Sequence, residues 1–314
     1  MGRAGRILPL GAALLGLALA ACGSTGPAEA HVTTTKPSNT STVASGGVTS
    51  VRVQVIPTTD GQVSYRQLGR GAPLVLIMGL GGSIDDWEPA FLNALAARYR
   101  VIVFNNAGVG RTSPLSSPLT ITAMADQTSA FISALGLHRV DLLGWSMGGM
   151  IAQALAVLHP TQVGRLALAA TQAGTGRALP IPAAAAAEAV STNPATLLSV
   201  LFPPGQAAAQ QRYVSGILSY PGYYGAPRGV VAAQSAAIQA WLGGADPSGH
   251  GLGAIRVPTL VADGAVDALD PVANDRILVA GIQGAQLALY PGAGHGFLFQ
   301  DAASFVPRLE RFLR

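Results

Sequence analysis

Hydrophobic residues fall along most of this chain in short unbroken runs rather than in strict alternation. Leu-Val-Leu-Ile-Met at 74–78 and Val-Ile-Val-Phe at 101–104 have strand length, and Val-Asp-Leu-Leu at 140–143 nearly repeats the pattern. Such runs are expected of strands covered on both faces, as in a parallel sheet. Helically spaced stretches separate and follow them at 87–98, 121–135 and 150–158. Further strands are predicted at 166–170, 259–262 and 286–290, with helices at 272–281 and 305–313. Only the opening segments, 51–56 and 62–68, alternate as an antiparallel pair does. Strands alternating with helices predict an α/β chain, its sheet mostly parallel with helices on both faces.

Two regions depart from this rhythm. Between 172 and 255 the strands stop; the stretch is Ala-rich and broken by Pro180, Pro182, Pro203, Pro204, Pro221 and Pro227. Helical spacing at 184–190 and 230–241, inserted between two core strands, predicts a helical cap over one end of the sheet. Its aromatic residues, Phe202, Tyr213, Tyr220, Tyr223, Tyr224 and Trp241, are each expected to pack rather than to line a pocket.

The other departure is the first 50 residues. Arg3 and Arg6 precede an apolar run at 7–21 that ends in Leu19-Ala20-Ala21-Cys22. A basic start, a short apolar run and small residues before a cut predict a secretory signal, too short for a comfortable membrane span. Leu-Ala-Ala-Cys resembles the lipobox of bacterial lipoproteins, in which cleavage leaves the cysteine lipidated, so residues 1–22 are read as a signal and Cys22 as the anchor. Residues 23–50, rich in Ser, Thr, Gly and Pro, are read as a disordered tether with a reach of roughly 30 Å. The expected location is the cell envelope, at the outer face of the cytoplasmic membrane.

Composition narrows the chemistry. Of 314 residues, 49% are hydrophobic and 11% charged, so residues 51–314 can fill the core of one large domain. Without Arg3 and Arg6 the chain carries 17 basic and 15 acidic residues, which gives no electrostatic case for nucleic acid. Lys36 is the only lysine and lies in the tether, so the body has no phosphate-loop lysine, no Schiff base and no Ser-x-x-Lys pair. The single cysteine excludes a disulfide framework and a Cys-based zinc site, and His-Glu-x-x-His does not occur. Gly108-Val109-Gly110 lacks the third glycine of a dinucleotide loop. No cofactor, metal or nucleotide is expected; the expected ligand is a small acyl substrate.

The motif that carries chemistry is Gly144-Trp145-Ser146-Met147-Gly148, followed by Gly149, between a strand-like and a helix-like run. Gly-x-Ser-x-Gly in that context makes a tight elbow that pushes the serine hydroxyl out at the top of the sheet. A serine hydroxyl needs a neighbouring base. His31 lies in the tether, His138 precedes the strand leading to Ser146, and His159 follows the helix after it. The last two are therefore each roughly 20 Å from the serine. His250 lies in a Gly-rich loop, while His295 in Pro-Gly-Ala-Gly-His-Gly follows the last strand and can reach the sheet end. Asp263, Asp267 and Asp270 compete to orient the base; Asp270-Pro271 has the look of a helix N-cap, and Asp263 ends a strand.

On Gly-Trp-Ser-Met-Gly-Gly, the loop around Asp267 and Gly-Ala-Gly-His295, residues 51–314 resemble the α/β-hydrolase fold. The resemblance implies an eight-stranded, mostly parallel sheet, the order Ser146–Asp267–His295, and Asp267 as the acid. It also implies an oxyanion hole from the backbone N–H groups of Met147 and, after the third strand, of Leu80. Met78-Gly79 stands where the family commonly has His-Gly, and Asn105 where it usually has Asp, which puts the support of the oxyanion loop in question. Serine at the elbow separates the chain from the epoxide hydrolases and haloalkane dehalogenases of this fold, which use aspartate there. The expected activity is hydrolysis of a carboxylic ester, lactone or thioester. A cofactor-free perhydrolase or haloperoxidase of the same fold and a non-catalytic envelope binding protein are the rivals.

Overall fold

The computed structural model describes residues 47–314, which all belong to one compact unit. The expected signal at 1–22 with Cys22, and the expected tether up to residue 46, lie outside the described residues. The folded chain begins before residue 51: Val48, in a short 3₁₀ turn, is fully buried and donates its N–H to Asn93 Oδ1 at 2.9 Å. Residues 47–50 are thus part of the domain rather than of the tether.

Eight strands form one sheet: β1 (Gln54–Thr58), β2 (Gly61–Leu68), β3 (Pro73–Ile77), β4 (Arg100–Phe104), β5 (Val140–Trp145), β6 (Val163–Ala169), β7 (Thr259–Gly264) and β8 (Gln286–Tyr290). Their spatial order is β1-β2-β4-β3-β5-β6-β7-β8, with β1 and β2 antiparallel to their neighbours and every later pairing parallel. The unbroken apolar runs have the expected cause. Along β3, Leu74 and Leu76 join one core while Val75 and Ile77 join the other; Val101 and Val103 against Ile102 and Phe104 do the same in β4.

Helices α1 (Pro89–Ala96), α9 (Phe297–Gln300) and α10 (Ala302–Phe312) cover the first face with Phe91, Leu95, Phe299, Phe305 and Leu309. Helices α2 (Ile121–Ala134), α3 (Met147–Leu158) and α8 (Ala273–Gly281) cover the second with Phe131, Ile151, Leu155 and Leu278. Because β3, β5, β7 and β8 run parallel, the loops that follow them emerge at one end of the sheet, where open α/β sheets bind their ligands.

The insertion between β6 and β7 holds four helices, α4 (Ala183–Ala189), α5 (Pro194–Leu201), α6 (Ala207–Ile217) and α7 (Arg228–Leu242), so two more than the sequence pattern indicates. Only part of it is a cap. Ala237, Ile238, Trp241, Leu252 and Ile255 belong to the same core as α2 and α3, and the Trp241 indole donates to the Gln172 carbonyl at 3.2 Å. Asp246 accepts from the Thr122 N–H at the start of α2 at 3.0 Å. The second half of the insertion is therefore docked on the body. Phe202, Tyr220 and Trp241 pack as expected, whereas Tyr213 and Tyr223 also line a cavity.

Candidate active site

Ser146 sits between β5 and α3 with φ 56° and ψ −124°, one of two non-glycine residues with positive φ among the described residues. Such backbone costs free energy and persists only where the surroundings enforce it. Here the enforcement is close packing. A Cβ on Gly148 would lie 1.9 Å from the Ile77 carbonyl oxygen, and one on Gly144 would lie 2.4 Å from that of Gly148. The elbow is then tied to the sheet: Ser146 N–H donates to Ala169 O at 2.9 Å, and Thr171 Oγ1 donates to Ser146 O at 2.7 Å. The serine is half-buried, and its hydroxyl makes no hydrogen bond within the described residues.

His295 follows β8, is 4% exposed, and lies in the same cavity as Ser146. Its Nδ1 donates to Asp267 Oδ2 at 2.7 Å. Trp145 holds the histidine from the other side, its indole N–H donating to the His295 carbonyl at 2.9 Å. Asp267, after β7, is held in turn: its Oδ1 accepts from Leu269 N–H at 2.7 Å and Asp270 N–H at 3.0 Å. With Nδ1 committed to a carboxylate, His295 keeps Nε2 for other chemistry. The remaining described histidines stand apart from this cavity. His138 is exposed, His159 pairs with Asp126 at 2.7 Å, and His250 bonds Gly244 O at 2.6 Å.

Of the competing acids, only Asp267 meets a histidine. Asp270 caps no helix: α8 begins after Val272 without a side-chain cap, and neither Asp270 oxygen has a hydrogen-bond partner. Asp263, Asp270 and Asp275 instead form a buried cluster, with one oxygen from each within 4.8 Å of the others. Burial, and after it the neighbouring carboxylates, raises Asp263 and Asp270 well above the usual carboxylate range. Nearby Asn274 and Gln172 lower Asp270 by less than burial raises it. Asp275 is pushed up to about 8 by burial and by Asp267. Burial and mutual repulsion thus favour protonation of the cluster, which limits the negative charge held behind His295.

The loop expected to supply the second oxyanion donor passes beside the elbow. A Cβ on Gly79 would lie 3.1 Å from that of Ser146, and Leu80 lines the cavity with Ser146 and His295. Neither Leu80 N–H nor Met147 N–H has a partner within the described residues, the latter because the first turn of a helix leaves its N–H groups free. The support that Met78 does not supply comes from elsewhere. Asn106 Nδ2 donates to Met78 O at 2.9 Å, and Gly81 N–H donates to Gln234 Oε1, from α7, at 2.8 Å. Asn105 accepts from Ile84 N–H at 2.9 Å and donates to Ser64 Oγ and Tyr224 Oη, both at 2.8 Å. Nothing in the local pattern points to Gln234, since it lies about 150 residues away in sequence.

The cavity holding Ser146 and His295 has a volume of about 280 Å³ and largely apolar walls, among them Met150, Ile181, Val200 and Leu269. A second cavity of about 590 Å³ adjoins it and shares Leu80, Trp145, Leu197, Leu201 and Ser235, with Asp86, Tyr213, Tyr223 and Arg228 beyond. Burial pushes the Asp86 carboxyl up to about 6, against hydrogen bonds from Ser83 and Tyr223. Among the described residues no helix is long and apolar enough to cross a membrane.

Comparison with known proteins gives this geometry its kin. A family model described as alpha/beta hydrolase fold matches residues 72–215. RutD of Caulobacter sp. (strain K31), which bears the name of a carbamate hydrolase, is 30% identical over 258 residues, covering 76% of this chain and 90% of its own. The poly(3-hydroxyalkanoate) depolymerase of Ectopseudomonas oleovorans is 30% identical over 259 residues, covering 77% and 84%. Among solved structures, an alpha/beta hydrolase fold protein from Chitinophaga pinensis superposes with a TM-score of 0.73 at 25% identity, over 85% of this chain and 99% of its own. The eight-stranded sheet, the strand–serine–helix elbow and these relatives agree: the chain belongs to the alpha/beta hydrolase fold family and is a hydrolase.

Proposed function

We propose that this hydrolase cleaves a carboxylic ester, lactone or thioester through an acyl-enzyme. The observation that carries the reading is the 2.7 Å bond from His295 to Asp267 at the wall of the cavity that also holds Ser146. Ser146 Oγ attacks the carbonyl carbon while His295 Nε2 takes its proton, and Asp267 keeps the imidazole in the right tautomer and stabilises the imidazolium. The N–H groups of Leu80 and Met147 receive the oxyanion. Collapse of the tetrahedral species breaks the bond to the alcohol or thiol, which leaves with the proton from His295. Water, deprotonated by the same histidine, then releases the acid.

The apolar cavity around Ser146 suits an apolar acyl group, and the larger neighbour has room for the rest of the substrate. The depolymerase relative supports ester chemistry, while the name of RutD supports a carbamate as the second reading, whose carbonyl the same groups would attack. Turnover of p-nitrophenyl esters, a lactone, a thioester and a carbamate by wild type and Ser146→Ala tests this. Ester, lactone or thioester turnover that vanishes in Ser146→Ala is the expected result. Turnover that persists in Ser146→Ala, or none in the wild type on any of the four, removes the reading and leaves a perhydrolase or a binding protein.

We also propose, on Leu19-Ala20-Ala21-Cys22 alone, that the chain is lipidated at Cys22 and held at the outer face of the cytoplasmic membrane. Metabolic labelling with a palmitate analogue is expected to disappear in Cys22→Ala; label that persists contradicts it.

A further inference from the structure

An oxyanion donor works only if it is aimed, since donors must stand roughly 2.7–3.1 Å from the developing charge before the reaction begins. The loop that carries Leu80 is poorly equipped to aim itself. Gly79, Gly81 and Gly82 flank the donor, and Gly81 has φ +70°, a conformation that few side chains share. Its own internal bond, Gly82 N–H to Gly79 O, is stretched to 3.4 Å. The capping box of Ser83 and Asp86 begins only after the glycines.

Asn106 holds the loop's Met78 end, and what holds the glycines themselves arrives from the insertion. Gln234 Oε1 accepts the Gly81 N–H at 2.8 Å, Ala226 N–H donates to Gly81 O at 3.1 Å, and Ser83 Oγ donates to Tyr224 O at 2.7 Å. The two peptide planes of Gly81 are thus both fixed by the segment 226–234, and the next plane toward the serine carries the Leu80 N–H. Gln234 is fully buried, and its amide Nε2 finds no partner. A buried, half-satisfied amide costs stability, so a leucine or methionine on this face of α7 would serve the fold better.

We propose that Gln234 is a positioning residue of the oxyanion hole, the cap-borne clamp on Gly81 that aims the Leu80 N–H at the reacting carbonyl. The proposal rests on the serine-hydrolase reading above. It makes the first part of α7 a component of the active site, so that moving this helix off the sheet end dismantles the hole.

The rival is that Gln234 merely fastens the insertion to the body, as Tyr220 does by donating its hydroxyl to Trp87 O at 3.0 Å. Gln234→Met removes the acceptor at equal length, Ala226→Pro removes the donor on the other plane, and Tyr220→Phe cuts a fastener away from the loop. Steady-state kinetics on a p-nitrophenyl ester, the rate of inactivation by a fluorophosphonate, and Tm are measured on the full-length chain. Gln234→Met is expected to lower kcat about tenfold or more with KM within about twofold, and to slow phosphonylation in parallel. Ala226→Pro shifts the same two readouts in the same direction, and it decides the matter if Gln234→Met does not fold. Tyr220→Phe is expected to lower Tm without that kcat loss. Overturning results are a Gln234→Met, or in its place Ala226→Pro, that keeps wild-type kcat, or a Tyr220→Phe that loses kcat as much as either. A wild type without turnover or labelling instead removes the hydrolase reading, and this proposal with it.

Discussion

Ser146 and Leu80 stand at the same end of the sheet, after the adjacent strands β5 and β3, and face one cavity, yet they are held in opposite ways. The serine is fixed from within. Gly144, Gly148 and the Ile77 carbonyl are pressed together so tightly that no side chain fits, and the strained φ follows from contacts within a few residues and with the two strands that flank β5. The Leu80 loop is fixed from outside, by Gln234, Ala226, Tyr224 and Asn106, which come from far along the chain. Local enforcement leaves a short motif that is the same wherever it occurs. Support that arrives from a distance leaves no motif, because many side chains on many elements can do the work.

The largest effects are expected where this contrast is sharpest. Asp267→Asn leaves the shape of the site intact but offers His295 the wrong partner, so kcat should fall about 10³–10⁴-fold while Asp270→Asn costs far less. Steady-state kinetics of the two variants checks it, and equal losses would mean the acid is misassigned. Gly148→Ala drives a methyl into the Ile77 carbonyl, so folded protein should be scarce by circular dichroism and by soluble yield. Gly81→Ala is the milder counterpart: its Cβ meets Val231 at an ordinary 3.4 Å, and only the φ of +70° penalises it, by about 1–2 kcal/mol in a chemical denaturation series. A Gly148→Ala protein as stable as Gly81→Ala would show that the elbow is not enforced by packing.

The remaining effect, a dependence on pH, lies behind the loop that carries Asp267. Asp275 keeps its proton in the folded chain up to about 8, against an ordinary value of 3.8, because it is buried and faces Asp267. An unfolded chain releases that proton near pH 4, so the contribution of Asp275 to stability is full below that pH and is lost as pH rises toward about 8. Asp275→Asn should flatten this decline in denaturation midpoints measured between pH 4 and pH 8. An unchanged slope would mean the cluster is not the source.

The same contrast explains how far the sequence could be read. Strands β3 and β4 are legible because burial on both sides needs unbroken apolar runs, and their ends lie within one residue of those runs, while the partly exposed edge strand β8 has the bounds its pattern predicts. Helix α10 starts three residues earlier than its periodicity suggests, at Ala302, because the turn Asp301–Ser304 carries no apolar stripe to reveal it. Helices α5 and α6 escape the pattern because Pro203, Pro204 and short polar stretches mask elements held by tertiary packing, α5 against α4 and α6 against α1. Asp270 looked like an N-cap from the proline after it, yet the helix starts two residues later. The elbow and Gly-Ala-Gly-His295 were plain in the sequence. The cradle of the oxyanion loop was not, since a glutamine in an Ala-rich helix announces nothing.

The pairing of Ser146 with His295 and Asp267 as one activated set is most directly tested by intact-mass analysis of the full-length protein after treatment with a fluorophosphonate. A single adduct in wild type that is absent in Ser146→Ala and strongly reduced in His295→Ala is the expected result. An unmodified wild type, or an adduct that survives in Ser146→Ala, would contradict it.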